Sequence, residues 1–273
     1  MTLISPVWAW LFTFLLAIMM FGCKNKSSSK QASSAEYQLV WSDEFDYAGR
    51  PDSTKWGYAL GGGGWGNQEL QYYTNRTENA RVENGNLVVE VRKEAMQGSN
   101  YTSARLLTKG KADWKYGKIE FRAKLPSGRG TWPALWMLAA NEPLAWPDDG
   151  EIDVMEHVGS DQGRIHHTVH CKKYNHVIGT QKTATTIVPD CSDAFHVYAA
   201  EWTADSILMK IDGKTWFHFA NDHTGKDAWP FDNRFYILMH IAVGGGFGGQ
   251  KGVDDTIFPQ RMEVDYVRVY GFR

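Results

Sequence analysis

Short stretches in which apolar and polar residues alternate recur along most of the chain. Residues 86–92 (NLVVEVR) follow the turn pair Asn84-Gly85, and 117–124 (GKIEFRAK), 206–212 (SILMKID) and 215–219 (TWFHF) repeat the pattern. Each predicts a strand with one face buried. A turn at Gly213-Lys214 separates the last two, and a short strand at 39–46 (LVWSDEFD) ends in acids. No stripe at i, i+3, i+4, i+7 survives the glycines, so no long helix is predicted. Many strands joined by short polar turns predict an all-β protein with two antiparallel sheets packed face to face.

One stretch breaks the alternation in an informative way. In 150–159 (GEIDVMEHVG) three carboxylates occupy six positions. An extended strand turns Glu151 and Asp153 to one face and Ile152 and Val154 to the other. Strict alternation then sends Glu156 to the face of Ile152. A β-bulge at Val154-Met155 returns it to the face of Glu151 and Asp153, and bulges often re-aim side chains beside active sites. Three acids on one face repel each other and raise the pKa of at least one. The chemistry that fits is glycoside hydrolysis by two carboxylates: Glu151 as nucleophile, Glu156 as general acid/base, Asp153 holding a proton or hydrogen bond between them. Five positions of strand separate the two Cα atoms by about 13–16 Å, whereas a retaining pair needs its carboxyls about 5–5.5 Å apart. The bulge and a concave sheet must therefore bring the side chains together. The alternative is an acidic, solvated strand.

Composition narrows the field. A chain of 273 residues is one large domain or two small ones, and a net charge of −2 leaves no basic footprint for nucleic acid. Its 12 Trp, 12 Tyr and 13 Phe exceed what a core of this size needs, and flat aromatic faces stack on sugar rings. Residues 3–22 form an apolar run without a charge, ending at Cys23. That length fits a membrane span or a signal peptide. With Lys24 and a Ser/Lys-rich stretch following, it looks like a bacterial lipoprotein signal in which Cys23 carries the lipid. The expected division is a signal peptide over 1–22, a flexible tether over 23–36 and a catalytic domain over 37–273, exported and membrane-anchored at the periplasm or cell surface.

Glycine runs at 61–64 and 244–249 predict loops with unusual φ or close approach to a ligand; no following helix with a basic residue supports phosphate binding. Cys171 and Cys191 lie in an exported domain, so a disulfide is permitted, with two buried free thiols as the alternative. His166, His167, His170 and Cys171 suggest zinc. A strand, however, puts His166 and His170 on one face and His167 and Cys171 on the other, so neither face gathers a ligand set.

Several blocks, in order, carry a resemblance: 65–74 (WGNQELQYYT), 131–138 (TWPALWML), 151–156 (EIDVME), 235–245 (FYILMHIAVGG) and 262–270 (MEVDYVRVY). Together they resemble glycoside hydrolase family 16, in particular its bacterial laminarinase-like endo-β-1,3-glucanases, over about residues 37–273. The resemblance implies a β-jelly-roll with the acid strand in the floor of a concave cleft. It also implies endo-acting, retaining cleavage of β-1,3-glucan by a chain acting as a monomer, without a catalytic cofactor. Asn67, Glu69, Arg122, Trp132, Trp136 and His170 are implied as substrate contacts, and Glu44, Gly85 and Asp265 as ligands of a structural calcium. Two positions depart from the pattern: His240 replaces a usual Asn, and Gly246-Phe247 stands where Asn-Trp is common. The alternatives within the family are an agarase- or carrageenase-like galactan hydrolase and a mixed-linkage β-1,3-1,4-glucanase. A non-catalytic glucan-binding lectin is disfavoured because both glutamates are present.

Overall fold

A computed structural model describes residues 37–273; the expected signal segment, tether and Cys23 lie outside these residues. Seventeen strands run through them. The first seven are β1 (Tyr37–Asp43), β2 (Gly57–Tyr58), β3 (Gln71–Tyr73), β4 (Ala80–Glu83), β5 (Asn86–Met96), β6 (Ser99–Ser103) and β7 (Arg105–Leu107). Then follow β8 (Gly117–Lys124), β9 (Thr131–Ala139), β10 (Glu151–His157), β11 (Arg164–His170) and β12 (Lys182–Ile187). The last are β13 (His196–Trp202), β14 (Ser206–Ile211), β15 (Lys214–Ala220), β16 (Phe235–Val243) and β17 (Gln260–Phe272). Among the described residues, helical structure is limited to α1 (Gly245–Gly248) and two 3-10 turns.

The strands form two sheets. One runs β15-β14-β13-β8-β17-β5-β6-β3, with β1 on β17 and β4 on β5; the other runs β12-β11-β10-β9-β16-β7-β2. Every paired strand is antiparallel except β3 with β6. This is the jelly-roll sandwich that the alternation and the resemblance implied. In β8, Ile119, Phe121 and Ala123 are fully buried while Lys118, Glu120, Arg122 and Lys124 face out. Those inward residues join Leu135, Met137, Ile152, Met155 and Ile237 in one core cluster. Each large side chain so buried stabilises the fold by about 1.5–3 kcal/mol.

The turn between β14 and β15 falls one residue earlier than expected, at Asp212-Gly213, where φ is 50° and 79°. A tight hairpin needs both central residues left-handed, and Asp-Gly meets that where Gly-Lys does not.

Strands β9 and β16 are buried along their whole length. One face joins the core. On the other, Ala134, Trp136 and Leu138 pack with Tyr236 and Leu238 as a separate apolar cluster, which becomes the floor of a cleft.

Candidate active site

The acids stand on β10, the strand between β9 and β11. Its register slips between Asp153 and Met155 against β9 and between Asp153 and Glu156 against β11. The bulge therefore lies at Val154-Met155, as the spacing predicts. Ile152, Val154 and Met155 are fully buried in the core, while Glu151, Asp153 and Glu156 line the cleft. Between Glu151 and Glu156, five steps of β10 cover only four of β9, from Leu138 to Ala134, which shortens the span between the glutamates. Gly150 starts the strand with φ 92°; a Cβ there would sit 2.9 Å from the Pro230 ring, in a conformation disfavoured for other residues.

Two indoles fix the two glutamates. Trp146 Nε1 donates to Glu151 Oε2 at 2.6 Å, and Trp132 Nε1 donates to Glu156 Oε1 at 3.0 Å. His170, opposite Glu151 on β11, holds its Nε2 3.4 Å from Asp153 Oδ2. Burial raises the pKa of all three acids, and their mutual charge raises it further. Glu151 is pushed up to about 8, by burial first and then by Asp153; Glu156 is pushed to about 7, by burial and then by Glu151. Asp153 is only 3% exposed and is raised well above its usual range, by burial first and then by Glu156. Trp146 and Trp132 oppose the rise by hydrogen bonding to the ionised forms, and a charged His170 opposes it at both glutamates.

An open cleft of about 280 Å³ extends from these acids. Hollows of about 410 and 400 Å³ elsewhere are larger, but neither contains the acids of β10. Asn67 and Glu69 border the cleft. Glu69 is buried and accepts from Asn67 Nδ2, Gln71 Nε2 and Tyr73 OH, and burial raises its pKa. The α1 loop anchors this wall: Gly246 N donates to Asn67 O at 2.7 Å, and a Cβ at Gly245 (φ 71°) would meet that same oxygen at 2.7 Å.

Trp132 and Trp136 border the cleft but are each only 8% exposed. Trp136 donates its indole N–H to Nδ1 of buried His240 at 3.1 Å, and the Arg105 guanidinium lies over its ring. Both tryptophans brace the site. The open aromatic surface is Trp146, 37% exposed, with half-buried Trp65 across the cleft. The two departures from the family pattern are structural partners here. His240 receives Trp136, and Phe247 packs edge-on against Trp132 and His166.

Some expectations are corrected. Arg122 does not reach the cleft: it lies on the outer face of the opposite sheet, paired with Asp265 and stacked on Phe195. Alternation told which residues of β8 face outward but not which sheet holds the cleft. Cys171 and Cys191 form no disulfide and are buried free thiols. Cys171 follows the end of β11, while Cys191 lies near Gln162 and Gly163 at its start, so about seven strand residues at ~3.3 Å each separate them. The cleft also contains Arg105, Leu144, Trp146, His176 and Val177, which the sequence reading missed. Trp146, in the loop leading to Gly150, had a usable signal: an aromatic five residues before the first acid of β10.

Glu44, Gly85 and Asp265 meet on the opposite sheet. Strand β5 pairs with β17 up to Leu87–Val264, and β1 pairs with it from Asp43–Val267. Both therefore end beside Asp265, at a register slip between Val264 and Tyr266 in β17. Carbonyl oxygens and a carboxylate at that junction are the donor chemistry of calcium. In the structure Arg122 pairs with Asp265, and Arg268 grips both oxygens of Glu44. A cation there would have to compete with Arg122.

A sandwich that presents two half-buried, indole-held glutamates flanking a buried aspartate, beside an aromatic cleft, defines a glycoside hydrolase. Residues 67–268 match the glycosyl hydrolases family 16, and the chain belongs to that family. It is 53% identical over 266 residues to a "Beta-glucanase" of Rhodothermus marinus, covering 94% of this chain and 93% of that protein. The solved laminarinase from Rhodothermus marinus superposes with a TM-score of 0.85 at 53% identity, over 88% of this chain and 99% of that one. SCLam, described as a non-specific endo-beta-1,3(4)-glucanase from family GH16, superposes with a TM-score of 0.84 at 50% identity, over 88% and 94%.

Proposed function

We propose that this enzyme cleaves β-1,3-glucan internally, with retention, by double displacement. The observation that carries the reading is the bulge, which sets Glu151 and Glu156 on the cleft face with a separate indole donor for each. Asp153, the most buried, is raised well above its usual range by burial and by Glu156 and is the neutral member; once neutral it no longer repels Glu151, and Trp146 then favours the carboxylate. Glu151 and Glu156 then share one proton, and the reactive form is the one that carries it on Glu156: Glu151 attacks the anomeric carbon while Glu156 protonates the leaving oxygen. Glu156 then takes a proton from the water that releases the glycosyl enzyme. An open cleft suits a long polymer.

Half identity to a glucanase described as non-specific favours a second arm, in which mixed β-1,3-1,4 linkages are also cut. Laminarin, mixed-linkage glucan, agarose and carrageenan assayed side by side, with proton NMR of the first product, test the reading. Release of β-anomeric oligosaccharides fastest from laminarin is expected. Faster cleavage of either galactan overturns the glucan assignment and leaves the two-glutamate chemistry intact.

Export with a lipid on Cys23 and a calcium ion at the Asp265 junction complete the proposal. The apolar run 3–22 with Cys23 supports the first, and the meeting of β1, β5 and β17 supports the second. Cys23→Ala should move the chain from the membrane to the soluble fraction; retention in the membrane with residues 1–22 still present by mass spectrometry would indicate an uncleaved anchor instead.

A further inference from the structure

We propose that Glu151, Asp153 and His170 form a reversible site for one borderline divalent metal ion of the zinc and copper class, and that the bound ion blocks the reaction centre. The sequence of β11 alone argues against zinc, because its histidines and cysteine divide between two faces. The fold supplies the missing ligands from the neighbouring strand. Glu151 pairs with His170 across the β10–β11 ladder, and one donor atom from each of Glu151, Asp153 and His170 lies within 4.8 Å of the others.

An acidic cluster alone would not make a site. Asp153, however, is 3% exposed, and its Oδ2 accepts no hydrogen bond although it points at His170 Nε2, 3.4 Å away. A buried carboxylate oxygen is normally satisfied, since leaving it unpaired costs about 1–3 kcal/mol. This one faces an imidazole nitrogen and, beyond it, a second carboxylate, so a cation between them satisfies all three at once. Two carboxylate oxygens and one imidazole suit zinc or copper; calcium takes six to eight oxygens. Ligand atoms around a tetrahedral zinc stand about 3.3 Å apart at ordinary bond lengths. The cluster therefore has to contract by up to about 1.5 Å at its widest pair, within the reach of side-chain rotation. Glu151 is partly open to the cleft, which leaves a position for water on the ion.

The same surroundings make the ion exchangeable. His170 Nδ1 is buried with no hydrogen-bond partner among the described residues, so the ring is held by packing against Trp146 and His176 and not by a hydrogen bond at its second nitrogen. Trp146 already holds one Glu151 oxygen. Missing support of this kind lowers metal affinity about 10–100-fold. An ion bound to Glu151 occupies the lone pair that would attack the sugar, so it competes with substrate. That consequence rests on the glucanase reading; binding of the ion itself does not.

The test titrates zinc chloride into the full chain with a chromophoric zinc indicator, with and without a β-1,3-gluco-oligosaccharide. One zinc per chain is expected, displaced by the oligosaccharide, with His170→Asn and Asp153→Asn each weakening it tenfold or more. Exposed His218→Ala should leave it unchanged. The competition arm uses the unaltered chain, so it does not depend on how the variants fold. Zinc and oligosaccharide binding independently, tight zinc binding that survives both substitutions, or no stoichiometric zinc at all would each overturn the proposal. A chain that binds zinc at these residues yet hydrolyses no glucan keeps the site and loses only the functional reading.

Discussion

Trp146 shows how much a single indole can do at this site. Its N–H stabilises the ionised form of Glu151, so Trp146→Phe removes a donor while keeping most of the ring. A hydrogen bond to a charged group is worth about 1.5–3 kcal/mol, and kcat/KM for laminarin should fall about 10–100-fold. The acid limb of its pH profile should also move to higher pH, because the nucleophile becomes harder to ionise. A limb that stays in place would remove Trp146 from control of Glu151. The raised pKa of Glu151 has a second consequence, with a definite sign. Its folded value is about 8 against 4.5 for the free side chain, so the folded state binds a proton that the unfolded state has lost. Stability is therefore full below about pH 4.5 and declines as the pH climbs toward 8. Glu151→Gln removes that penalty. It should nearly abolish hydrolysis, yet raise stability by about 1–3 kcal/mol at pH 8, a melting rise of roughly 2–12 °C, and leave it unchanged near pH 4. Equal melting temperatures at pH 8 would mean that Glu151 is not held neutral.

At the scale of the element, the bulge could be read in advance because the period of a strand is two. Carboxylates at 151, 153 and 156 can share a face only if one residue is extra, and the register slips at that place. The same rule placed His166 and His170 on one face of β11 and His167 on the other, where its Nδ1 meets Val154 O. Alternation says in or out; it does not say which sheet or which neighbour. Arg122 is expected to contact substrate, but it stands on the other sheet and its partner is Asp265, far along the chain. Trp136 reads as a cleft residue, but its partner His240 arrives from β16. Arg105 had no periodic signal: its guanidinium lies between Trp65 and Trp136 only because β7 pairs with β16. The bulge itself can be tested by deletion. Removing Met155 restores strict alternation with all three acids still on the cleft face, and it empties a buried Met site at about 2–5 kcal/mol. Removing Ile152 turns Glu151 away from Asp153 and Glu156. The first deletion should keep measurable laminarin hydrolysis and the second should not. Loss in both, with circular dichroism showing folded chains, would mean that the bulge's local shortening, and not only its facing, is required.

Across the whole molecule, the reaction centre and the Asp265 junction lie on opposite sheets, so stability and chemistry can be changed separately. The jelly-roll was legible from strand pattern and family blocks together. The proposed calcium site at the junction rests on the resemblance, because carbonyl donors would leave no mark in side-chain pattern. If it binds, the physics is competitive: Asp265 pairs with Arg122 in the structure, and a hard cation would have to share or take the same oxygens. Calcium that binds the folded chain alone stabilises it by about 2.7 kcal/mol at a hundred times its dissociation constant. For a domain of this size that corresponds to a melting rise of roughly 5–11 °C over chelator. Asp265→Asn should abolish the rise, and Arg122→Gln should enlarge it by removing the competing cation. Neither change should alter the pH limbs of hydrolysis at moderate temperature, since neither residue lines the cleft. A melting temperature indifferent to calcium in all three chains would leave the junction to its two arginines, with Arg122–Asp265 and Arg268–Glu44 as the pairs that join β1, β8 and β17.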